Sequence, residues 1–169
     1  MITMKATKLV LALTIAACVA APVFAEKKYT GPRPPKTDVP FLQHASTLIE
    51  VEKGEADEAH SHGNITYSVA GATSRTRTPV PEPVFYFQSD KINPEHMVLY
   101  KMDTKSGQRT LTMPEQGRRK DTHPIFMLID PVSSSVPGLW KIEVNEVIDP
   151  GEYCLSPEGV NTVYCFTEY

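Results

Sequence analysis

The chain is short of basic charge, of cysteine and of long apolar runs. Its 169 residues include 17 lysines and arginines against 20 acidic residues, with only 3 cysteines and 1 tryptophan. All acidic residues follow position 25, whereas Lys5 and Lys8 precede it, so residues 26–169 carry 15 basic and 20 acidic side chains, a net charge of −5. This balance disfavours a nucleic-acid-binding protein, which normally presents an excess of lysine and arginine.

The sequence also lacks helical periodicity and the common catalytic motifs. Its 15 prolines argue against an all-helical fold, because proline interrupts helix interiors. There is no P-loop, dinucleotide-binding glycine motif, His-Glu-x-x-His zinc motif or Gly-x-Ser-x-Gly nucleophile elbow. The sequence gives no support for an enzyme, and we favour a protein without catalytic activity.

The chain begins with the features of an export signal. Two lysines are followed by residues 9–21, which are apolar or small apart from one threonine. This run is too short to span a bilayer and has the length of a signal-peptide core. Val23 and Ala25 stand at positions −3 and −1 of a cleavage site before Glu26. The sequence predicts a signal peptide at residues 1–25 and a periplasmic or secreted mature protein.

A lipoprotein signal is the alternative interpretation of the same segment. Residues 15–18, Ile-Ala-Ala-Cys, fit a bacterial lipobox, in which Cys18 would become a lipidated N-terminus anchored in the outer membrane. The residues after Cys18 are more apolar than the usual lipoprotein tether, and the cleavage site at Ala25 would go unused. We favour the free form, and we expect contact with a membrane only if Cys18 is lipidated.

The rest of the chain predicts an all-β domain behind a flexible lead. Residues 26–40 contain four prolines and few apolar side chains, which is typical of an extended, polyproline-like segment. In residues 41–169, short stretches of alternating apolar and polar residues are separated by turn signals. We expect about eight strands in a single β-sandwich.

Two segments give more specific expectations. Residues 54–63 are polar, which predicts a long loop between strands at 47–53 and 64–69. Residues 125–129 are continuously apolar, which favours a central strand covered on both faces.

The C-terminal segment, residues 137–169, has the clearest strand pattern. Trp140 is the first of three apolar residues that alternate with charged ones, so we expect it to anchor the core between two sheets. Residues 147–153, Val-Ile-Asp-Pro-Gly-Glu-Tyr, resemble the tyrosine corner of immunoglobulin-like and fibronectin-III-like sandwiches. The resemblance implies that fold, with the Tyr153 hydroxyl bonded to nearby backbone.

The end of the chain carries a second resemblance. Its Gly-Glu-Tyr-x-Leu-Ser-Pro-Glu-Gly run and aromatic final strand are similar to those of small exported bacterial proteins of uncharacterised function. This resemblance implies no activity.

Cys154 and Cys165 are the two cysteines that remain after cleavage before Glu26. If the last two strands pair, one register sets the cysteines opposite each other and places four apolar side chains together on the other face. These four are Tyr153, Leu155, Tyr164 and Phe166. Export favours oxidation, so we expect a cross-strand disulfide, with two free thiols as the alternative.

The most metal-like patch contains His60 and His62, with Asp57 and Glu58 nearby in the sequence. Two histidines two residues apart project to the same side of an extended chain, and carboxylates could complete a zinc or copper shell. A solvated acidic loop without a cofactor is the interpretation that we favour.

Three functional hypotheses follow. The first is an exported, non-enzymatic β-sandwich module that binds a protein or glycan of the cell envelope. The second is a periplasmic metal-binding protein that uses His60 and His62, and the third is a hydrolase. No motif in the sequence identifies a partner.

Overall fold

The computed structural model describes residues 28–115 and 123–169. The predicted signal peptide, its cleavage site and Cys18 lie outside the described residues. The described part contains twelve strands and one short 3₁₀ helix, Pro94–His96, and it has no helix of the length and apolar character needed to cross a membrane. The predicted all-β class is confirmed.

The strands are β1 (Pro40–His44), β2 (Thr47–Glu50), β3 (Glu52–Ser61), β4 (Asn64–Ala70), β5 (Arg77–Thr78), β6 (Val84–Gln88), β7 (Val98–Lys105), β8 (Gln108–Pro114), β9 (Met127–Pro131), β10 (Leu139–Val144), β11 (Gly151–Ser156) and β12 (Thr162–Glu168). Five of them form one sheet in the order β2-β1-β6-β10-β9. Phe85 and Phe87 alternate along β6 and are both fully buried on one face of this sheet.

The second layer is a barrel rather than an open sheet. Its strands follow the order β11-β7-β8-β4-β3-β12, and β11 also pairs with β12, which closes the ring of six strands. The short strand β5 runs parallel to the end of β12. The predicted two-layer, sandwich-like arrangement is confirmed in outline. The described residues form twelve strands rather than about eight, and one layer closes on itself, so the fold is not a plain sandwich. Membership of the immunoglobulin-like or fibronectin-III-like families stays a prediction.

The main core lies between the five-stranded sheet and the barrel wall. Phe85 from the sheet packs against Phe166 of β12 with ring centroids 5.2 Å apart, and Phe166 stacks on Tyr153 of β11 at 5.5 Å. Leu155 and Tyr164 belong to the same buried cluster. Burying these large side chains is the main source of stability for this contact.

The final hairpin has the register expected from the sequence. Tyr153 pairs with Phe166, and Cys154 pairs with Cys165 on the opposite face. The two cysteines form a disulfide, with their Cα atoms 4.1 Å apart. The Tyr153 hydroxyl donates a hydrogen bond of 2.5 Å to the carbonyl oxygen of Asp149, four residues upstream. Both the disulfide and the hydroxyl-to-backbone bond of the corner are confirmed.

The prediction of a loop at residues 54–63 is wrong. Most of it belongs to β3, which pairs with β4 through a two-residue turn at His62 and Gly63, both with positive φ angles. Such a pair matches the right-handed twist of a hairpin. Most residues of β3 face solvent. Pairing with β12 along residues 52–55 and with β4 along residues 56–61 holds the strand extended despite its polar composition.

Two expectations about burial also need correction. The apolar run at 125–129 does not form a central strand, because β9 lies at the edge of the five-stranded sheet, leaving Phe126 57% and Leu128 41% exposed. Trp140 lies on the core-facing side of β10, opposite Phe87 in the register. It is only half-buried, because it sits near the end of its strand beside a shallow depression formed by residues 89–95.

The described part of the lead, residues 28–39, contains no strand or helix. Tyr29 packs against the outer face of the five-stranded sheet, where burial and the neighbouring Tyr86 raise its pKa to about 12. Asp38 accepts a 2.6 Å hydrogen bond from the Tyr164 hydroxyl through its backbone oxygen. The boundary at Phe41 and the flexibility of the lead stay predictions.

Candidate functional site

Alternation along the barrel strands determines which side chains face the interior. On β11 and β12, the residues facing outward build the main core, so the disulfide projects into the barrel. It belongs to a buried cluster with Ala56, Val69, Met102 and Val163, and Leu111 packs against that cluster. The middle of the barrel is therefore apolar.

This apolar layer surrounds a cavity of about 570 Å³ that opens at one end of the barrel. Barrels of eight or fewer strands are normally filled by their own side chains. Ala56 of β3 lines the cavity, and its small side chain leaves space there that a larger residue would occupy. Gly54 on the same face is closely packed instead, because a Cβ atom on it would lie 3.0 Å from a methyl group of Val69.

The mouth of the cavity is polar and aromatic. Glu58, Tyr67, His96, Tyr100 and Glu158 line it together with the loop at residues 157–161. Glu158 bonds to Nδ1 of His96 at 2.6 Å, which connects the β11–β12 loop to the 3₁₀ helix. Glu58 lies directly opposite Tyr67 in the β3–β4 register. Burial raises the pKa of Tyr67, and the negative charge of Glu58 makes a smaller contribution in the same direction.

A buried arginine lies on the opposite side of the apolar layer from the mouth. Arg109 of β8 is 1% exposed. It lies two residues before Leu111 on the same strand, so both side chains point into the barrel, with Arg109 further from the mouth. Its guanidinium donates to Glu52 at 2.7 Å, and to the carbonyl oxygens of Ala70 at 2.7 Å and Gly71 at 3.1 Å.

Glu52 is held ionised by this contact and by Arg75. Burial alone would raise the pKa of Glu52, but hydrogen bonds from the Arg75 backbone and from Arg109 outweigh it and hold that pKa below its usual value. Nearby, the buried Glu152 accepts hydrogen bonds from the Thr167 hydroxyl at 2.8 Å and the Ser74 backbone N–H at 2.9 Å. A hydrogen-bonded polar layer therefore lies beneath the apolar one.

The structure does not assemble the predicted metal patch. Strand alternation puts Asp57 on the outer face of β3 and Glu58 and His60 on the other. The two ring nitrogens of His60 bond separate carboxylates, Glu58 at 2.6 Å and Glu115 at 2.8 Å, while Nδ1 of His62 bonds the Ser61 hydroxyl. No group of three or more potential metal ligands occurs in residues 28–115 and 123–169.

The cavity mouth also contains the components of acid–base chemistry, but the hydroxyl group does not bond to the histidine. Ser156 lines the cavity beside His96 and Glu158. In the part of the chain that the structure describes, no hydrogen bond joins the Ser156 hydroxyl to the His96 ring. General-base catalysis needs a nucleophile within hydrogen-bond reach of its base.

Sequence reasoning missed the cavity, its mouth and Arg109. The alternation around Tyr67 and Tyr100 indicates strands and no more, because alternation does not distinguish a barrel interior from a sandwich core. The small residue Ala56 is a signal of the cavity, because a small side chain in the middle of an inward-facing strand leaves that part of the interior unfilled.

Comparisons of the chain with protein-family models, with curated proteins and with solved structures found no match.

Proposed function

We propose that this protein is an exported, non-enzymatic binding module that holds a small, largely apolar molecule inside its six-stranded barrel. The observation that carries the proposal is the cavity of about 570 Å³ with an apolar wall and a polar mouth. Small-molecule sites typically have about 300–1,000 Å³, mostly apolar walls and a few polar groups that orient the ligand.

The rigidity of the wall supports the same function. The disulfide crosses the inner surface of β11 and β12, and both strands are tied to the core on their outer faces. A preorganised cavity loses little conformational entropy when a ligand binds, which favours affinity. The disulfide is also compatible with the proposed location outside the cytoplasm.

The other hypotheses from the sequence have less support. The predicted metal ligands do not converge, and among the described residues no hydrogen bond joins the Ser156 hydroxyl to His96. A protein or glycan partner in the cell envelope stays compatible with a ligand-binding barrel.

The intact mass of the exported protein distinguishes a start at Glu26 from a lipidated start at Cys18.

A matched pair of substitutions tests the proposal. Ala56 faces the cavity, whereas Ala59 is exposed on the opposite face of β3. We expect Ala56→Leu to reduce binding of the neutral fluorescent probe N-phenyl-1-naphthylamine at least about tenfold, because the larger side chain fills the cavity. Ala59→Leu makes the same chemical change outside the barrel and should leave probe binding unchanged.

Circular dichroism and urea unfolding of both variants establish that each is folded. Equal probe binding by the wild type and a folded Ala56→Leu variant would contradict the proposal. So would the absence of any saturable probe binding to the wild type.

A further inference from the structure

We infer that the ligand of the barrel is an amphipathic organic cation, whose apolar body enters the cavity while its ammonium group stays at the mouth. The inference rests on the proposed function and adds the charge and orientation of the ligand. It comes from the distribution of charged and aromatic groups around the cavity.

The described residues of the mouth carry negative charge. Glu58 and Glu158 are the two carboxylates in the cavity lining, and no lysine or arginine lines it among the residues that the structure describes. Glu115 provides a third carboxylate near Glu58, because the same histidine, His60, bonds both of them. His96 bonds Glu158. Even with both histidines protonated, the three carboxylates leave this described set with a net negative charge, so the potential there favours a cation.

Aromatic rings flank the same position. Tyr67 stands opposite Glu58 on the neighbouring strand, and Tyr100 also lines the cavity. The faces of aromatic rings attract cations, and the interaction strengthens where water is partly excluded. Carboxylates beside aromatic rings suit an alkylammonium group better than an anion.

The apolar layer excludes a simple metal ion as the occupant of the whole cavity. Ala56, Val69, Met102 and Val163 offer no charged group, and Cys154 is committed to the disulfide. A hydrated ion entering this layer would lose its water without compensation. An apolar tail buries its surface there and leaves its charge at the mouth, where the carboxylates are.

Two detergents with the same tail and opposite charge test the inference. Dodecyltrimethylammonium and dodecyl sulfate, both below their micellar concentrations, would compete with N-phenyl-1-naphthylamine for the full-length mature protein. We expect the cation to displace the probe at a concentration at least about tenfold lower than the anion, since the carboxylates attract one and repel the other.

Single substitutions assign the effect to the mouth. Glu58→Gln and Glu158→Gln should each weaken competition by the cation about fivefold and leave competition by the anion no weaker. Asp57→Asn removes a carboxylate from the outer face of the same strand and should change neither.

The outcomes separate this inference from the function on which it rests. If the neutral probe binds but the two detergents compete equally, or the anion competes better, the inference about charge is wrong and the binding function stands. Preference for the cation that survives in the Glu58→Gln/Glu158→Gln double variant also overturns it. If the neutral probe does not bind at all, both proposals fail.

Discussion

Replacing Arg109 with methionine should destabilise the protein strongly, because its guanidinium is enclosed in the barrel. The side chain is 1% exposed and donates to Glu52 and to two backbone carbonyl oxygens. Methionine keeps an apolar stem but no donor, so these acceptors lose their partner. Removing one member of a buried ion pair typically costs about 3–5 kcal/mol, and we expect a loss in this range from Arg109→Met.

Arg75→Met is the matched control, because Arg75 bonds the same carboxylate from the surface. Its side chain is 88% exposed, and its Nε lies 3.3 Å from Glu52. An exposed ion pair contributes up to about 1 kcal/mol, and the Arg75 backbone N–H still donates to Glu52 at 2.7 Å after the substitution. We therefore expect a loss below about 1 kcal/mol.

Urea unfolding monitored by circular dichroism measures both losses. The lowered pKa of Glu52 means that its ionised form stabilises the fold above the unfolded value near 4.5, and that this contribution disappears as the pH falls through the folded value. The deficit of Arg109→Met should therefore persist from pH 7 down to about pH 4.5 and shrink only at lower pH. Equal losses from the two arginine variants at pH 7 would refute the assignment of Arg109 to a buried polar layer.

Three further predictions follow from contacts in the fold. The double variant Cys154→Ala/Cys165→Ala should lose at most about 3 kcal/mol in urea unfolding, since the disulfide closes a short loop. Thiol counting on the denatured protein that starts at Glu26 should find no free thiol. Tyr153→Phe removes one hydroxyl-to-backbone bond and should cost about 1 kcal/mol by the same assay; an unchanged midpoint would contradict the corner. Hydrogen bonds to Glu115 and then Glu58 raise the pKa of His60, so an NMR titration should place that pKa above 6.5 and Glu115→Gln should lower it.

The local features that depend on neighbours in sequence could be predicted. The register of the last hairpin follows from side-chain alternation alone, because a slip by one residue would expose all four of its large apolar side chains. The corner at Tyr153 depends on a hydrogen bond to the backbone of Asp149, only four residues earlier in the sequence. The disulfide then follows from the register.

The features that depend on distant pairing could not be predicted. The barrel exists because β12 pairs with β3, more than a hundred residues earlier, as well as with β11. Composition indicated a loop for the polar strand β3, and pairing with β12 and with β4 overrides that preference. The burial of Arg109 likewise requires acceptors from β3 and from the backbone at the end of β4, which no local pattern reveals.

The most direct test of the binding function is NMR spectroscopy of methionine methyl groups during titration with N-phenyl-1-naphthylamine. Met102 and Met113 line the cavity, whereas Met97 is 4% exposed in the core between the sheet and the barrel. We expect saturable shifts of the Met102 and Met113 signals while the Met97 signal stays in place. Unchanged Met102 and Met113 signals at saturating probe, or shifts confined to Met97, would contradict a ligand site inside the barrel.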